Sequence, residues 1–120
     1  MNSEQVVRKA LTFLFENYKD DRSEFLKYFS PNFKMWKDGV DSNLEDLITH
    51  FAKLQATVPE RSIHFVDVVS SASLVFDQHT ITVRKADGDE CVDVFAKWTV
   101  QEERIVACEE LTRRRTADYL

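Results

Sequence analysis

The sequence has 120 residues, of which 43% are hydrophobic and 12% aromatic, and it contains only two glycines and two prolines. That is the size of one domain, and nine phenylalanines can fill its core, so disordered, collagen-like and low-complexity chains are excluded. The 16 Lys and Arg against 21 Asp and Glu give a net charge of -5, which argues against nucleic acid or an anionic membrane as a partner.

The cysteines and the first residues bear on the compartment. Cys91 and Cys108 are the two cysteines, both inside predicted strands, and two are too few for a disulfide framework. No apolar segment follows Met1, and no apolar run approaches the roughly 18 residues that span a bilayer. We therefore expect reduced thiols, no signal peptide, no membrane segment and a cytoplasmic location.

The order of the predicted elements indicates the fold class. The chain shows no internal repeat and no linker, so we expect a single domain over 1–120, with a core of about 4–113 and a polar tail at 114–120. Helical patterns come first and strand patterns second. This order predicts an α+β fold, with three N-terminal helices packed on an antiparallel sheet.

Three helices are predicted from apolar residues that recur at steps of three and four. Asp21 is a cap for the second helix, and Ser42 forms a capping box with Glu45 at the start of the third. The second helix ends before Pro31, since the residue before proline disfavours the helical region, and Pro59 stops the third. The predicted ranges are 4–18, 22–29 and 42–58.

The remaining segments predict strands joined by tight turns. Asp87–Gly88 is a strong hairpin signal, and a four-residue turn at 101–104 joins the last two strands. The second half of the chain is therefore expected to form an antiparallel meander. The predicted strands lie near 32–37, 63–69, 74–85, 90–100 and 105–113.

Counting residues across the two turns predicts which side chains lie side by side. A two-residue turn at Asp87–Gly88 pairs His79 with Ala96, and the turn at 101–104 pairs Ala96 with Glu109. These three residues then form one row on an otherwise apolar face of the sheet. A bulge in the last strand would place Glu110 there instead of Glu109, and this alternative stays open.

The predicted row suggests acid–base chemistry. The backbones of His79 and Glu109 would lie about 10 Å apart, and the small Ala96 between them would leave room for a ligand. Burial raises the pKa of a carboxyl group and imidazole titrates near neutrality, so we assign His79 and Glu109 as the catalytic pair. Further candidates for ligand contacts share the pocket face or its mouth: Trp36, Asp38, Asp77, Ala96 and Trp98.

Other chemistry has little support in the sequence. His50, His64 and His79 are not at metal-ligand spacing from one another or from a cysteine, so we expect no metal. The chain carries neither a glycine-rich phosphate loop nor a nucleophile elbow. We expect no cofactor.

The order of elements resembles the nuclear transport factor 2-like superfamily, and within it the SnoaL-like group. The resemblance covers about residues 4–113. It depends on the helix order, the segment Tyr28–Phe33, the strand with Trp36 before Asp38–Gly39, and the closing hairpin formed by Phe95–Val100 and Arg104–Val106. It implies a cone-shaped fold, in which a curved sheet and helices enclose a cavity, and a homodimer formed through the sheet.

The resemblance implies several functions, since the superfamily includes steroid isomerases, polyketide cyclases, dehydratases, epoxide hydrolases and non-enzymatic modules. The positions that carry catalysis in the steroid isomerases fall at Phe13, near Lys37 or Asp38, and at Ala96, so two of three functional groups are lost. Polyketide cyclases resemble a different arrangement, with an acid on a late strand that Glu109 or Asp77 could supply.

Two functions are therefore carried forward. The first is a protein that binds a small hydrophobic molecule and acts as an isomerase, cyclase or dehydratase. The second is a non-enzymatic, dimeric protein-interaction module whose cavity is filled, with Phe13, Phe51 and Trp98 as the candidates for filling it. The volume of the cavity discriminates between them.

Overall fold

The computed structural model describes residues 1–115, so most of the predicted polar tail at 114–120 lies outside the described residues. Helices and strands follow one another in the chain as α1 (Ser3–Phe15), α2 (Arg22–Phe25), β1 (Phe29–Lys37), β2 (Val40–Asn43), α3 (Leu44–Thr57), β3 (Arg61–Ser71), β4 (Leu74–Lys85), β5 (Gly88–Gln101) and β6 (Arg104–Arg114). The α+β class is confirmed.

The first two helices are shorter than predicted. A capping box between Asn2 and Gln5 opens α1, which ends at Phe15. The Asp21 side chain caps α2 as expected, by accepting a hydrogen bond from the backbone N–H of Ser23. That helix is a single turn, because the chain is already extended at Phe29 and continues as β1 through Pro31.

The start of α3 differs from the prediction. Ser42 pairs with Met35 as part of β2, so it cannot also cap a helix. Asn43 is the cap instead, and its capping box is completed by Asp46 rather than by Glu45. Within residues 1–115, no helix has both the length and the apolar character needed to cross a membrane. The cytoplasmic location stays a prediction.

All six strands form one sheet in the order β2-β1-β6-β5-β4-β3. The last four strands along the chain make the predicted antiparallel meander. The sheet is nevertheless mixed, because β1 runs parallel to β6. This corrects the expectation of a wholly antiparallel sheet: the connection from β1 passes through β2 and α3 before the meander begins.

One face of the sheet, the inner face, packs against α1 and α3, and the opposite, outer face does not. Along β5 the inner face carries Val94, Ala96, Trp98 and Val100, as the alternation of the sequence predicts. The core lies between this face and the helices. Its largest fully buried apolar side chains are Trp98, Phe25, Phe29, Phe33, Leu44 and Ile105.

The hairpin between β4 and β5 has a register other than the predicted one. The turn residues are Ala86 and Asp87, and Gly88 begins β5 with a φ of 126°. The turn therefore lies one residue earlier than expected, and Lys85 pairs with Gly88. Every later pair shifts accordingly, so His79 lies beside Val94 and not beside Ala96.

The hairpin between β5 and β6 contains a bulge. Val100 pairs with Ile105 as predicted, and the next pair is Thr99 with Ala107, so Val106 is the extra residue. Because of this extra residue, the side chains of β6 beyond Val106 point to the face of the sheet opposite to the predicted one. Glu110, not Glu109, lies on the inner face beside Ala96.

Candidate functional site

A cavity of about 660 Å³ lies between the inner face of the sheet and the helices α1 and α3. Its size is within the range of small-molecule sites. Phe51 and Trp98 line the cavity without closing it, and Phe13 instead packs against Tyr18, Phe25 and Tyr28. Most of the wall is apolar, and its polar members include Lys37, Asp46, His50, Arg61, His79, Glu110 and Thr112.

A chain of buried polar side chains supports one wall. Asp77 Oδ1 accepts a hydrogen bond from Trp98 Nε1 at 2.7 Å, and its Oδ2 lies 2.5 Å from His79 Nδ1. The side chain of Asp77 has no exposed surface, and that of His79 is only 2% exposed. Both oxygens of a buried carboxylate are thus used, which a stable buried acid requires.

The strand period explains how these residues meet. Asp77 and His79 are two residues apart on β4, so both side chains point to the inner face. Ala96 is the cross-strand neighbour of Asp77, and Trp98 follows on the same face of β5. Because Ala96 is small, the indole of Trp98 can reach diagonally to Asp77.

The hydrogen bond to Asp77 defines the chemical state of the His79 ring. An ionised carboxylate only accepts hydrogen bonds, so we assign the ring proton to Nδ1. Nε2 then carries the lone pair, and it has no hydrogen-bond partner within residues 1–115. Since His79 lines the cavity, its second nitrogen is positioned to take a proton from a bound molecule.

Glu110 is the acid on the same wall. It is 9% exposed, and burial raises the pKa of its carboxyl group above the ordinary value of 4.5. Lys37, whose Nζ lies 4.0 Å from Glu110 Oε1, opposes this rise in the pKa. The neutral, proton-donating form of Glu110 is therefore more accessible than for an exposed carboxyl group.

Cys108 is a neighbour of this acid but does not serve as a nucleophile. Its Sγ lies 3.9 Å from Glu110 Oε2. Burial, followed by the nearby carboxylates of Glu110 and Asp77, raises the pKa of the thiol well above 9.0. The thiolate, which is the reactive form, is thus disfavoured.

The structure brings some of the predicted residues to the cavity and keeps others away. The predicted row of His79, Ala96 and Glu109 is wrong, because the turn between β4 and β5 lies one residue earlier than predicted and because β6 contains a bulge. The observed row across the inner face is Lys37, Glu110, Ala96 and Asp77. Of the predicted residues, His79 and Trp98 line the cavity, while Asp77 lies behind them and forms a hydrogen bond with each.

Two predicted residues lie on the outer face. Glu109 forms an ion pair there with Lys97 at 2.7 Å. Trp36 is 38% exposed and contributes to a shallow groove on the outer face, together with Phe95 and Leu111. Trp36 is therefore not a wall of the inner cavity, since the side chains of Met35 and Lys37 take the inner positions of β1.

Asp38 has a structural role in the turn between β1 and β2. Its backbone adopts a φ of 49°, and Gly39 follows at 89°. One carboxylate oxygen accepts the backbone N–H of Thr112 at 2.8 Å, and the other accepts the Thr112 hydroxyl. These bonds hold the pKa of Asp38 below its ordinary value and join the turn to β6. Asp38 does not line the cavity.

Sequence reasoning missed Lys37 as an inner residue. Phe33, Met35 and Lys37 alternate along β1, and this period of two places all three on one face. Because the first two are apolar, the pattern alone would have placed Lys37 at the cavity. The parallel pairing of β1 with β6, which brings Lys37 beside Glu110, has no comparable local signal.

Comparison with solved structures gives the same fold many times. A protein from Shewanella denitrificans described as a SnoaL-like polyketide cyclase superposes with a TM-score of 0.77 at 12% identity, covering 92% of this chain and 90% of that one. A nuclear transport factor 2-like protein from Anabaena variabilis gives 0.75 at 14% identity, covering 96% and 90%. IdmH from Streptomyces antibioticus, described as a polyketide cyclase, gives 0.71 at 14% identity, covering 88% and 90%.

These similarities concern the fold. No family model and no curated protein matches the sequence. The architecture is that of SnoaL-like and nuclear transport factor 2-like proteins, as the order of elements suggested. At identities of 10–15%, the residues of this chain's own cavity must carry any argument about chemistry.

Proposed function

We propose that this chain binds a small hydrophobic molecule in its inner cavity and acts on it by general acid–base catalysis, as an isomerase, cyclase or dehydratase. The observation that carries the proposal is the His79 ring, which is buried at the cavity wall and held by Asp77, while its Nε2 has no hydrogen-bond partner among residues 1–115. The shared fold with proteins described as polyketide cyclases supports the reaction class.

The proposed mechanism divides proton transfer between two groups. His79 Nε2 removes a proton from a carbon next to a carbonyl group, and Glu110 donates its proton to the carbonyl oxygen, which gives an enol. In an isomerisation the imidazolium returns its proton to another carbon, while the Glu110 carboxylate takes back the enol O–H proton as the carbonyl re-forms. In a cyclisation the enol carbon attacks a second carbonyl group, whose oxygen takes the proton of the imidazolium, and the Glu110 carboxylate again takes back the enol O–H proton. Asp77 stabilises the imidazolium while it exists, as a buried carboxylate does for a catalytic histidine.

The open cavity supports this function over the non-enzymatic module. A module that used the fold only as a scaffold would be most stable with a filled interior, because empty space costs packing energy. Here about 660 Å³ stays open beside an acid and a base. Buried polar groups that are unnecessary for folding are expensive, so their presence at a cavity is typical of a site.

A thermal-shift screen tests whether the cavity binds ligands. The purified protein would be screened against steroids, polyketide intermediates, aromatic acids and epoxides. A ligand at 100 times its dissociation constant stabilises the folded state by about 2.7 kcal/mol, which is a readily measured shift for a domain of this size. A broad panel without any stabilising compound would contradict the proposal and favour the interaction module.

Kinetics of three variants then test the assignment of the groups. With a ligand that turns over, His79→Gln and Glu110→Gln should each lower kcat by roughly 100- to 10,000-fold, the usual contribution of a general acid or base. Glu109→Gln is the matched control, since it makes the same change one residue away on the outer face. Activity that survives at His79→Gln, or that is lost at Glu109→Gln, would overturn the assignment.

We also propose that two copies of this chain pair through the outer face of the sheet. An apolar patch there, the outer patch, consists of Trp36, Val69, Phe76, Phe95 and Leu111, all of them exposed. Charges of both signs surround it, including Lys97, Asp67 and Glu109. Such an apolar centre with a mixed polar rim is typical of an interface.

A further inference from the structure

The charged groups at the mouth of the cavity are not balanced. Lys85 and Arg114 both pair with Glu90, so these three residues form a closed cluster. Asp46 is occupied by the capping box of α3, where it accepts the backbone N–H of Asn43. Among the charged residues that line the cavity, Lys37, Arg61 and Glu110 are left to consider.

The guanidinium group of Arg61 is occupied by hydrogen bonds within the fold. Its Nη1 donates to Gln55 Oε1 and to the carbonyl of Val58, both at 3.1 Å, and its Nη2 donates to the carbonyl of Leu14 at 2.8 Å. The guanidinium therefore joins the C-terminal ends of α1 and α3, where a cation is favourable. Its Nε is buried and has no partner within the described residues. Arg61 adds positive potential to the cavity but offers no accessible donor at Nε.

Lys37 lacks a firm counter-ion in the described part of the chain. The nearest acid is Glu110, at 4.0 Å, which is the outer limit of an ion pair. Burial raises the pKa of that acid, Lys37 lowers it, and the 4.0 Å separation leaves the ion pair weak. The side chain of Lys37 is 43% exposed, and the ammonium group is thus available at the mouth of the cavity.

The pKa of His50 indicates the sign of the electrostatic potential near the cavity. It lines the same mouth from α3. Burial lowers the pKa of its ring, and the cations Lys37, Lys53 and Arg61 lower it further. A neutral imidazole beside an ammonium group can donate one hydrogen bond to an anion. In a chain whose net charge is -5, this concentration of positive charge at a hydrophobic cavity indicates an anionic ligand.

We propose that the ligand of this cavity is a hydrophobic monocarboxylate, whose carboxylate binds Lys37 Nζ at the mouth with His50 beside it. The apolar body of the ligand then lies along Phe33, Met35, Leu47, Phe51 and Leu54. The ion pair of Lys37 lies at the 4.0 Å limit, so the ammonium group can bind one further negative charge, and the N-terminus of α3 is already capped, so the mouth lacks the donors that a phosphate requires. This inference rests on the proposed function and names its substrate class.

A pair of probes that differ only in charge tests the inference. 2-Naphthylacetic acid and its neutral amide share one aromatic body, and their binding would be measured by calorimetry at neutral pH. The acid should bind at least roughly tenfold more tightly than the amide, and 0.5 M salt should remove most of this preference, as expected for a solvent-accessible ion pair. Equal affinities for the two probes, or binding of neither, would overturn the inference.

Variants of two lysines on β1 test whether Lys37 is the group that binds the carboxylate. Lys37→Met should abolish the preference for the acid, and Lys37→Arg should restore most of it, because the charge returns. Lys34→Met is the matched control, since Lys34 lies on the opposite face of the same strand and should leave the preference unchanged. A preference that survives Lys37→Met contradicts the inference. Neutral compounds that stabilise the protein in the thermal-shift screen would still support the proposed function, so the two failures are distinguishable.

Discussion

At the scale of single residues, Asp77 determines how the side chains of the candidate site are arranged. It was predicted to touch a ligand, and the structure places it beneath the cavity wall, where it binds both His79 and Trp98. A carboxylate that accepts from two buried donors orients a ring more firmly than either bond alone. The proposed base, His79, therefore depends on a residue that does not line the cavity.

The protonation of Glu110 gives a prediction about stability. Its pKa is raised on folding, so between its unfolded pKa near 4.5 and its higher folded value the native state binds more protons than the unfolded state. The slope of the unfolding free energy with pH is then negative, and stability falls as the pH rises through this window. Glu110→Gln should remove that fall.

Urea unfolding at a series of pH values from about 4 to 8 would measure this effect. The free energy of unfolding of Glu110→Gln minus that of the unmodified chain should increase as the pH rises. Glu109→Gln, whose side chain is exposed, should not show the increase. A constant difference for Glu110→Gln would mean that the carboxyl group is not protonated preferentially on folding.

At the scale of the elements, the turns decide how the strands register. Glu102 and Glu103 form the turn between β5 and β6, and both have a positive φ, of 52° and 62°. This left-handed conformation is energetically unfavourable for most residues that have a side chain, and Asn–Gly is the preferred pair for such a turn. The chain keeps two glutamates there, one of which pairs with the N-terminal amine.

Replacing this turn should therefore stabilise the fold. Glu102→Asn together with Glu103→Gly should raise the free energy of unfolding by about 1 kcal/mol, because the backbone strain is relieved at the cost of one exposed ion pair. Ala86→Asn with Asp87→Gly is the control, since neither residue of that turn has a positive φ. Equal gains at both turns, measured by urea unfolding, would refute the explanation by backbone conformation.

The elements also show what the sequence could predict and where it failed. The helices, the meander and the alternation of β5 follow from local periodicity, and β4 was predicted with its observed bounds. The row of site residues failed because register depends on single residues at turns. Gly88 looked like a turn residue but begins a strand, and Val106 is a bulge that an alternating pattern does not reveal.

At the scale of the molecule, one sheet separates two surfaces with different proposed tasks. Adjacent residues of one strand serve opposite sides: Glu110 lies at the cavity, and Glu109 and Leu111 lie on the outer face. The candidate site and the outer patch thus share the same strands. The fold as a whole could be anticipated from the order of elements, whereas the parallel contact of β1 with β6 required the structure.

The proposed pairing of two copies can be measured directly. Sedimentation of the unmodified protein should give twice the mass of the chain, and Phe95→Glu should give the mass of one chain, because it places a charge in the centre of the outer patch. Phe95 is 58% exposed, so the change should leave the monomer folded. Val40→Glu, at a residue that is also exposed but lies on the edge strand β2, should stay dimeric. An unmodified protein that sediments as a monomer would refute the pairing.

The bulge at Val106 also has a consequence for how chains of this fold diverge. A chain that kept this residue but paired it regularly with Thr99 would turn β6 over beyond it, which would bring Glu109 to the cavity and move Cys108 and Glu110 to the outer face without any substitution. Deletion of the residue would instead remove the bulge and leave Glu110 beside Ala96. The pairing register at this point is therefore a variable that exchanges the chemistry of two surfaces in a single step, and residues beyond it are comparable between two chains only when both pair in the same way there.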